Sequence, residues 1–299
     1  MNNFNNIYIT KDEPNYELLD SGDGEKLERF GKWVIRRPDP QIIWCKNKPA
    51  DFWAQADAVY ERKKNGGVWK KKEGIADEWT VEICGVTFVI SLSRFKHTGV
   101  FPEQISNWQW MEEKVKTAVD AGQKVSVLNL FGYTGGASLV CAKAGASVCH
   151  LDASKTALTW MDKNKKASAL DNASIRLILD DARKFVEKEI RRGVKYDAII
   201  MDPPTYGRGA KDELWTIDKD LLPLLSRVVL LLSSRPIFLI LNGYASEYSN
   251  LAYYNAISGI MSGAKIATGQ TEAGQLAIKE TDTDRLLPAG ICARYNFQK

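Results

Sequence analysis

Val125-Ser-Val-Leu-Asn-Leu-Phe-Gly-Tyr-Thr-Gly-Gly136 is an apolar strand running into a glycine-rich turn that opens a helix. Glycines in that position let the backbone approach a ligand closely and leave helix N-terminal amides free to meet it. The same alternation continues downstream. A helix over 137–144 is followed by strand Ser147-Val-Cys-His-Leu-Asp152, a helix over 155–170 and strand Ile175-Arg-Leu-Ile-Leu-Asp180. Then come a helix over 182–191, strand Tyr196-Asp-Ala-Ile-Ile-Met-Asp202, a helix over 221–232 and strand Pro236-Ile-Phe-Leu-Ile-Leu-Asn242. Continuous apolar strands separated by helices predict a parallel sheet covered on both faces. In such α/β sheets ligands bind beyond the carboxyl ends of the strands, where the strand order reverses.

Upstream the character changes. Tryptophans are dense (Trp33, Trp44, Trp53, Trp69, Trp79), and Thr80-Val-Glu-Ile-Cys-Gly-Val-Thr-Phe-Val-Ile90 reads as two strands joined at Gly85. Asn65-Gly-Gly reads as a turn and Lys70-Lys-Lys-Glu73 as a solvated loop. An amphipathic helix over 103–121 puts Ile105, Trp108, Met111 and Val115 on one face. The expected division is a β-rich domain over 1–102 and a ligand-binding domain over 103–299. The tryptophans before residue 80 are expected in the core.

The 299 residues are 44% hydrophobic, 26% charged and 10% aromatic, which excludes a disordered, collagen-like or disulfide-stapled chain. The apolar runs fall well short of the ~18–20 residues of a membrane span. The N-terminus lacks a basic segment followed by an apolar one, so a soluble cytoplasmic protein is expected. Net charge is +4 and the pI about 8.6, below the value above ~9 that marks a nucleic-acid footprint. The first 104 residues balance 16 Lys plus Arg against 16 Asp plus Glu. Five cysteines at irregular spacing, with no CxxC or CxxH pair, predict reduced core thiols and no metal site.

Three strand ends carry acids. Asp152 lies 20 residues after Gly132, a spacing suited to gripping a ribose hydroxyl pair, and one that also serves NAD. The next strand ends in Asp180-Asp181. The fourth ends in Asp202-Pro203-Pro204-Thr205-Tyr206. Two prolines after a strand-end acid stiffen the backbone and turn carbonyls into the cleft, and an aromatic beyond them can stack on a planar base. A dehydrogenase has no need of that combination.

Together these segments resemble the class I S-adenosylmethionine (SAM)-dependent methyltransferases, and within them the group acting on large-subunit ribosomal RNA at cytosine carbon 5 or guanine nitrogen 7. The carriers are Leu128-Asn-Leu-Phe-Gly-Tyr-Thr-Gly-Gly136, Asp152-Ala-Ser154, Asp180-Asp-Ala-Arg-Lys-Phe185, Tyr196-Asp-Ala-Ile-Ile-Met-Asp-Pro-Pro-Thr-Tyr206 and His97-Thr-Gly-Val-Phe-Pro-Glu-Gln104. Tyr16-Glu-Leu-Leu-Asp-Ser-Gly-Asp-Gly-Glu-Lys-Leu-Glu-Arg-Phe-Gly31 is similar to the start of members known only as predicted methyltransferases. The resemblance implies a Rossmann-like fold with a mostly parallel, seven-stranded sheet. It implies that Phe131, Gly132, Tyr133, Thr134 and Gly135 line the methionine moiety and that Asp152 holds the ribose. Ala153 and Ser154 would then flank the adenine, and Asp181 would accept from its amino group. Asp202 and Pro203 would flank the methyl, and Thr98, Phe101 and Gln104 would close the pocket. Asp202, Pro203, Pro204 and Tyr206 form the expected catalytic set, with RNA, ribosomal above all, as partner.

One departure bears on the chemistry. Members that methylate carbon 5 of a pyrimidine need a cysteine nucleophile, carried just after the fifth core strand. Here that region reads Leu239-Ile-Leu-Asn-Gly-Tyr-Ala-Ser246, and neither it nor Asp202–Tyr206 holds a cysteine. Asp-Pro-Pro-Thr-aromatic is similar to the guanine-N7 members, and a ring nitrogen with its own lone pair needs only positioning. A base nitrogen is therefore the expected target. His150 reads as a core residue. His97 reads equally as a lid contact or not, and Gly207-Arg-Gly-Ala-Lys211 equally as a phosphate grip or a flexible surface loop. A small-molecule methyltransferase, a non-catalytic SAM-binding module and an NAD dehydrogenase remain as rivals.

Overall fold

A computed structural model describes residues 5–63, 66–93, 96–209, 212–244, 248–264, 266 and 268–298. Its spine is an eight-stranded sheet. Across it run Asn6–Ile9, Gly269–Lys279, Leu286–Phe297, Phe238–Gly243, Ala198–Met201, Ser126–Leu130, Ser147–Asp152 and Ile175–Leu179. Pairing is parallel except on both sides of Leu286–Phe297. The sheet is thus mostly parallel as expected, but has eight strands rather than seven. The addition is Asn6–Ile9, which pairs parallel with Gly274–Ala277 at the edge. Four residues with alternating exposure give too short a pattern to read as a strand.

The central strands Ala198–Met201 and Phe238–Gly243 are buried along their whole length because helices cover both faces. Helices Gly136–Lys143, Lys155–Ala167, Ala182–Arg191 and Ile217–Val228 alternate with the strands. Ser154 caps the second of these by accepting from the Ala157 amide, and Asp181 caps the third. Helix Ile105–Asp120 buries Ile105, Trp108, Met111 and Val115, the predicted face. The order reverses at Ser126–Leu130: the chain steps outward to Ser147–Asp152 and Ile175–Leu179, then returns to Ala198–Met201 on the other side. The loops after Leu130 and Met201 therefore lie side by side.

The N-terminal part holds a five-stranded sheet in the order Tyr16–Gly22, Glu25–Phe30, Trp33–Pro38, Ala58–Lys63, Gly66–Lys71. A separate hairpin, Glu78–Ile83 with Val86–Ser91, turns at Gly85 as predicted. Lys70 and Lys71 do not form a loop: they end the edge strand Gly66–Lys71, where lysines suit an unpaired rim. Asn65 lies outside the described residues. The hydrophobic core runs through both parts, joining Tyr16, Phe30 and Ile83 to Val127, Ala198 and Phe238. Trp53 is buried and Trp33, Trp44, Trp69 and Trp79 pack against core clusters. No described helix is long and apolar enough to cross a membrane.

Candidate active site

The loops at the reversal enclose a cleft of about 380 Å³. Its first wall is the turn after Leu130. Phe131 (φ 60°) and Tyr133 (φ 49°) both adopt the left-handed region, a strain that non-glycine residues carry chiefly at functional turns. Gly132 between them donates its amide to the Leu151 carbonyl at 2.9 Å, and a Cβ there would meet the His150 ring at 2.3 Å. Thr134 Oγ1 donates to the Gly99 carbonyl at 2.6 Å, tying the segment before Phe101 to the turn. His150 is buried, with Nδ1 on the Ser138 hydroxyl at 2.9 Å, a core role as expected.

Acids from successive strand ends make the rest. Asp152 accepts the Tyr133 amide on Oδ2 and the Ser154 amide on Oδ1, both at 2.8 Å. Burial raises its pKa against these bonds. Asp181 accepts the amides of Arg183 and Lys184 and pairs with the Arg183 guanidinium at 2.9 Å. Much of its acceptor capacity is therefore spent within its own helix. Asp202 is different. Its Oδ1 is shielded from solvent with no hydrogen-bond partner among the described residues, and burial, then the nearby Glu103 carboxyl, push its pKa to about 7.

Phe101, Phe131, Tyr133, Asp152, Ala153, Ser154, Asp181, Asp202, Pro203 and Pro204 all line the cleft. Gln104, Gly132 and Thr134 line a smaller adjoining cavity, which Phe101, Phe131, Tyr133 and Asp202 share. Thr98 and Gly135 stand behind these walls: Thr98 is fully buried, and Gly135 (φ 92°) begins helix Gly136–Lys143. Tyr206 does not line the cleft. It lies between Thr205 and Gly207, which do, on a hairpin of Tyr206–Arg208 with Leu214–Thr216, and its side is 59% exposed. Gly207-Arg-Gly209 is thus partly hairpin, and Arg208 reaches the cleft while pairing with Asp212 at 2.7 Å. Lys211 lies outside the described residues.

Sequence reasoning missed Tyr244, Trp215 and Glu103. Tyr244 follows strand Phe238–Gly243, where carbon-5 enzymes would carry cysteine, and that position was its available signal. Its hydroxyl accepts from Gln104 Nε2 at 2.9 Å; Gln104 Oε1 accepts from Asn107, whose Oδ1 accepts from Arg294 at 2.6 Å. That buried relay fixes the ring, which stands 5.6 Å from Phe101. No cysteine lines the cleft. Cys84, Cys141, Cys149 and Cys292 are buried with raised pKa values, Cys141 to about 12 and Cys292 to about 11. Among the described residues no group of three His, Cys, Asp or Glu side chains could hold a metal ion.

The residues fit a cationic adenosyl sulfonium. Among the described residues, Asp152, Asp180, Asp181 and Asp202 face the cleft against one cation, Arg208, on a largely apolar lining. A dinucleotide diphosphate would meet that acidic surface with like charge. Of the acids, Asp202 has the buried oxygen still lacking a partner.

A family model described as S-adenosylmethionine-dependent methyltransferase matches residues 40–243. Over its solved structure, a SAM-dependent methyltransferase from Agrobacterium tumefaciens is 38% identical, covering 97% of this chain and 93% of that one with a TM-score of 0.92. A ribosomal RNA large subunit methyltransferase K from Neisseria meningitidis is 27% identical over 75% of this chain and 64% of its own length. A ribosomal RNA large subunit methyltransferase K/L from Shewanella frigidimarina is 29% identical over 58% of this chain and 23% of its own. The chain spans less than two thirds of the length of these curated relatives. A tRNA m1G37 methyltransferase from M. jannaschii shares the fold at 14% identity, with a TM-score of 0.55.

Proposed function

We propose, from the premise that this chain belongs to the S-adenosylmethionine-dependent methyltransferase family, that it methylates a base nitrogen of RNA, ribosomal RNA above all. The observation that carries the reading is the buried, unpartnered Oδ1 of Asp202 in a cleft whose described lining holds no cysteine. When bound, SAM supplies an electrophilic methyl group on a positively charged sulfur. The chain's residues do the rest. Asp152 and the Phe131–Gly135 turn orient the ribose and amino-acid portions. Pro203 and Pro204 hold the strand-end loop rigid, so Asp202 stays aimed at the reaction line. Held by these residues, SAM would supply its methyl to the acceptor nitrogen's lone pair and would leave as the neutral thioether. Where that nitrogen carries a proton, Asp202 Oδ1 takes it, a role suited to a pKa near 7.

Residues 1–102 then form an accessory unit on the acceptor side, and the protein works in the cytoplasm where its RNA is. The names of the curated relatives and the exposed Tyr206 beside the cleft support RNA over a small molecule. Tyr206→Ala is expected to cut methyl transfer to RNA by roughly 10- to 100-fold, with SAM affinity almost unchanged and Tyr206→Phe nearly normal, because base stacking is worth about 1–3 kcal/mol. Calorimetry with SAM beside a single-turnover assay reads both. A loss of SAM binding in folded Tyr206→Ala would move the ring into the cofactor site.

Substituting each of the five cysteines by alanine is expected to leave methyl transfer intact wherever the variant folds. A folded cysteine variant without activity, or a covalent adduct with 5-fluoropyrimidine RNA, would restore carbon-5 chemistry. The reading as a whole is tested by nucleoside mass spectrometry of RNA from cells with and without the gene. One base-nitrogen methylation should disappear with the gene; unchanged RNA would favour a small-molecule acceptor.

A further inference from the structure

A second cavity of about 400 Å³ lies against the first. The two share His97, Phe101, Pro204, Thr205 and Tyr244 and adjoin there. Beyond those shared residues the chemistry changes sign. The cleft side is acidic, whereas the far side of the second cavity is lined by Lys26, Arg37 and Lys96, set against Asp39 and Glu103.

These cations are built in. Arg37 is 5% exposed and Lys26 9%. Arg37 is locked by Glu28, with Nε to Oε2 at 2.6 Å and Nη2 to Oε1 at 2.9 Å, and its Nη1 donates to the Lys96 carbonyl at 3.1 Å. Lys26 pairs with Asp39 at 3.3 Å and Glu28 at 3.7 Å. Lys96 joins none of these pairs. Burial, and then Lys26, Arg37 and Arg62, depress its ammonium pKa against the pull of Asp39. An anion placed among these groups would relieve that crowding. Glu103 is 6% exposed, with its pKa raised by burial, and offers a hydrogen-bonding edge to a neutral ring.

We infer that this second cavity is the acceptor pocket, taking an extruded RNA nucleotide with its phosphate at Lys96, Lys26 and Arg37 and its base against Phe101, Tyr244 and Pro204. The inference rests on the proposed RNA methylation and adds where the acceptor binds and what holds it. Its volume lies within the ~300–1,000 Å³ of ligand pockets, and enzymes acting on bases draw them from the stack into such a site. Near-neutral charge over the first 104 residues conceals this surface, because Glu28 pairs with Arg37 from outside the lining while Lys26, Arg37 and Lys96 face the cavity beside Asp39 and Glu103. A free metabolite with a phosphate or carboxylate tail offers the same anionic chemistry, and the assay separates the two sources.

The experiment uses the full chain with labelled SAM and total RNA, beside a parallel arm in which a small-molecule extract of the same cells replaces the RNA. Lys96→Gln is chosen because Lys26 and Arg37 also hold the N-terminal sheet together. Loss of one charge-assisted contact should raise the KM for RNA about tenfold or more while leaving kcat and SAM affinity near normal. The slope of log affinity for RNA against log salt should fall by about one, and Lys96→Arg should restore both. Unchanged KM and salt slope in folded Lys96→Gln, with the normal protein methylating RNA, would overturn the acceptor pocket alone. Label reaching small anionic compounds and no RNA would overturn its RNA occupant, and with it the proposed function.

Discussion

Asp202→Asn should lower single-turnover methyl transfer to a proton-bearing nitrogen by at least about 100-fold while changing SAM affinity by less than tenfold. General-base contributions of roughly 10²–10⁴ set the scale. The normal protein's rate should rise with pH, with a free-enzyme midpoint near 7, since the carboxylate must be ionised to accept a hydrogen bond or proton. Cofactor charge at the sulfonium would favour the carboxylate and shift the midpoint downward in the complex. Asp202→Asn should lose that dependence. Its stability should move the other way. A folded-state pKa raised above the unfolded value means the folded protein binds the extra proton, so stability declines as pH climbs from about 4 through 7. Above pH 7 the isolated charge costs on the order of 3 kcal/mol, allowing for partial solvent access, and the asparagine variant should be the more stable by about that amount. Denaturant titrations at pH 4 and pH 8 check this. Equal stability at both would mean that Asp202 has a partner when charged.

Asp152→Ala should weaken SAM binding by roughly 10- to 100-fold and leave a folded protein. A carboxylate has about four acceptor sites. The amides of Tyr133, Ser154 and Ala153 occupy three, leaving one for a ribose hydroxyl. Such a bond is worth about 1.5–3 kcal/mol. Because the same carboxylate orders the turn through Tyr133, alanine should also cost about 1–3 kcal/mol of stability, and Asp152→Asn should recover part of both losses. Unchanged affinity by calorimetry in a folded Asp152→Ala would remove this residue from the cofactor site.

What could be read ahead of the structure follows from how local each signal is. Ser147–Asp152 and Ala182–Arg191 form at the boundaries their patterns predict, because a doubly covered strand and an amphipathic helix write their environments into consecutive residues. Gly269–Lys279 and Leu286–Phe297 carry no such run: they are long antiparallel strands whose glycines and polar residues blur the alternation, so the sequence past Asn242 predicts neither. The hairpin of Tyr206–Arg208 and Leu214–Thr216 is too short to show a period. Within the site, Asp152, Asp181 and Asp202 were legible because strand ends in an α/β sheet converge by topology. Tyr244 and Glu103 were not, since nothing nearby in sequence shows that they share a wall. Lys26, Arg37 and Lys96 meet only through the tertiary fold, and their pairing acids cancel them in any charge count.

The most direct measurement incubates the protein with SAM bearing a deuterated methyl and RNA from cells lacking the gene, then digests the RNA and locates the label by mass spectrometry. The deuterated methyl should appear on a ring or exocyclic nitrogen of one nucleoside, and where that nitrogen carries a proton should form at least about 100-fold more slowly with Asp202→Asn. A methyl on carbon 5 of a pyrimidine, or RNA left without label, would contradict the account.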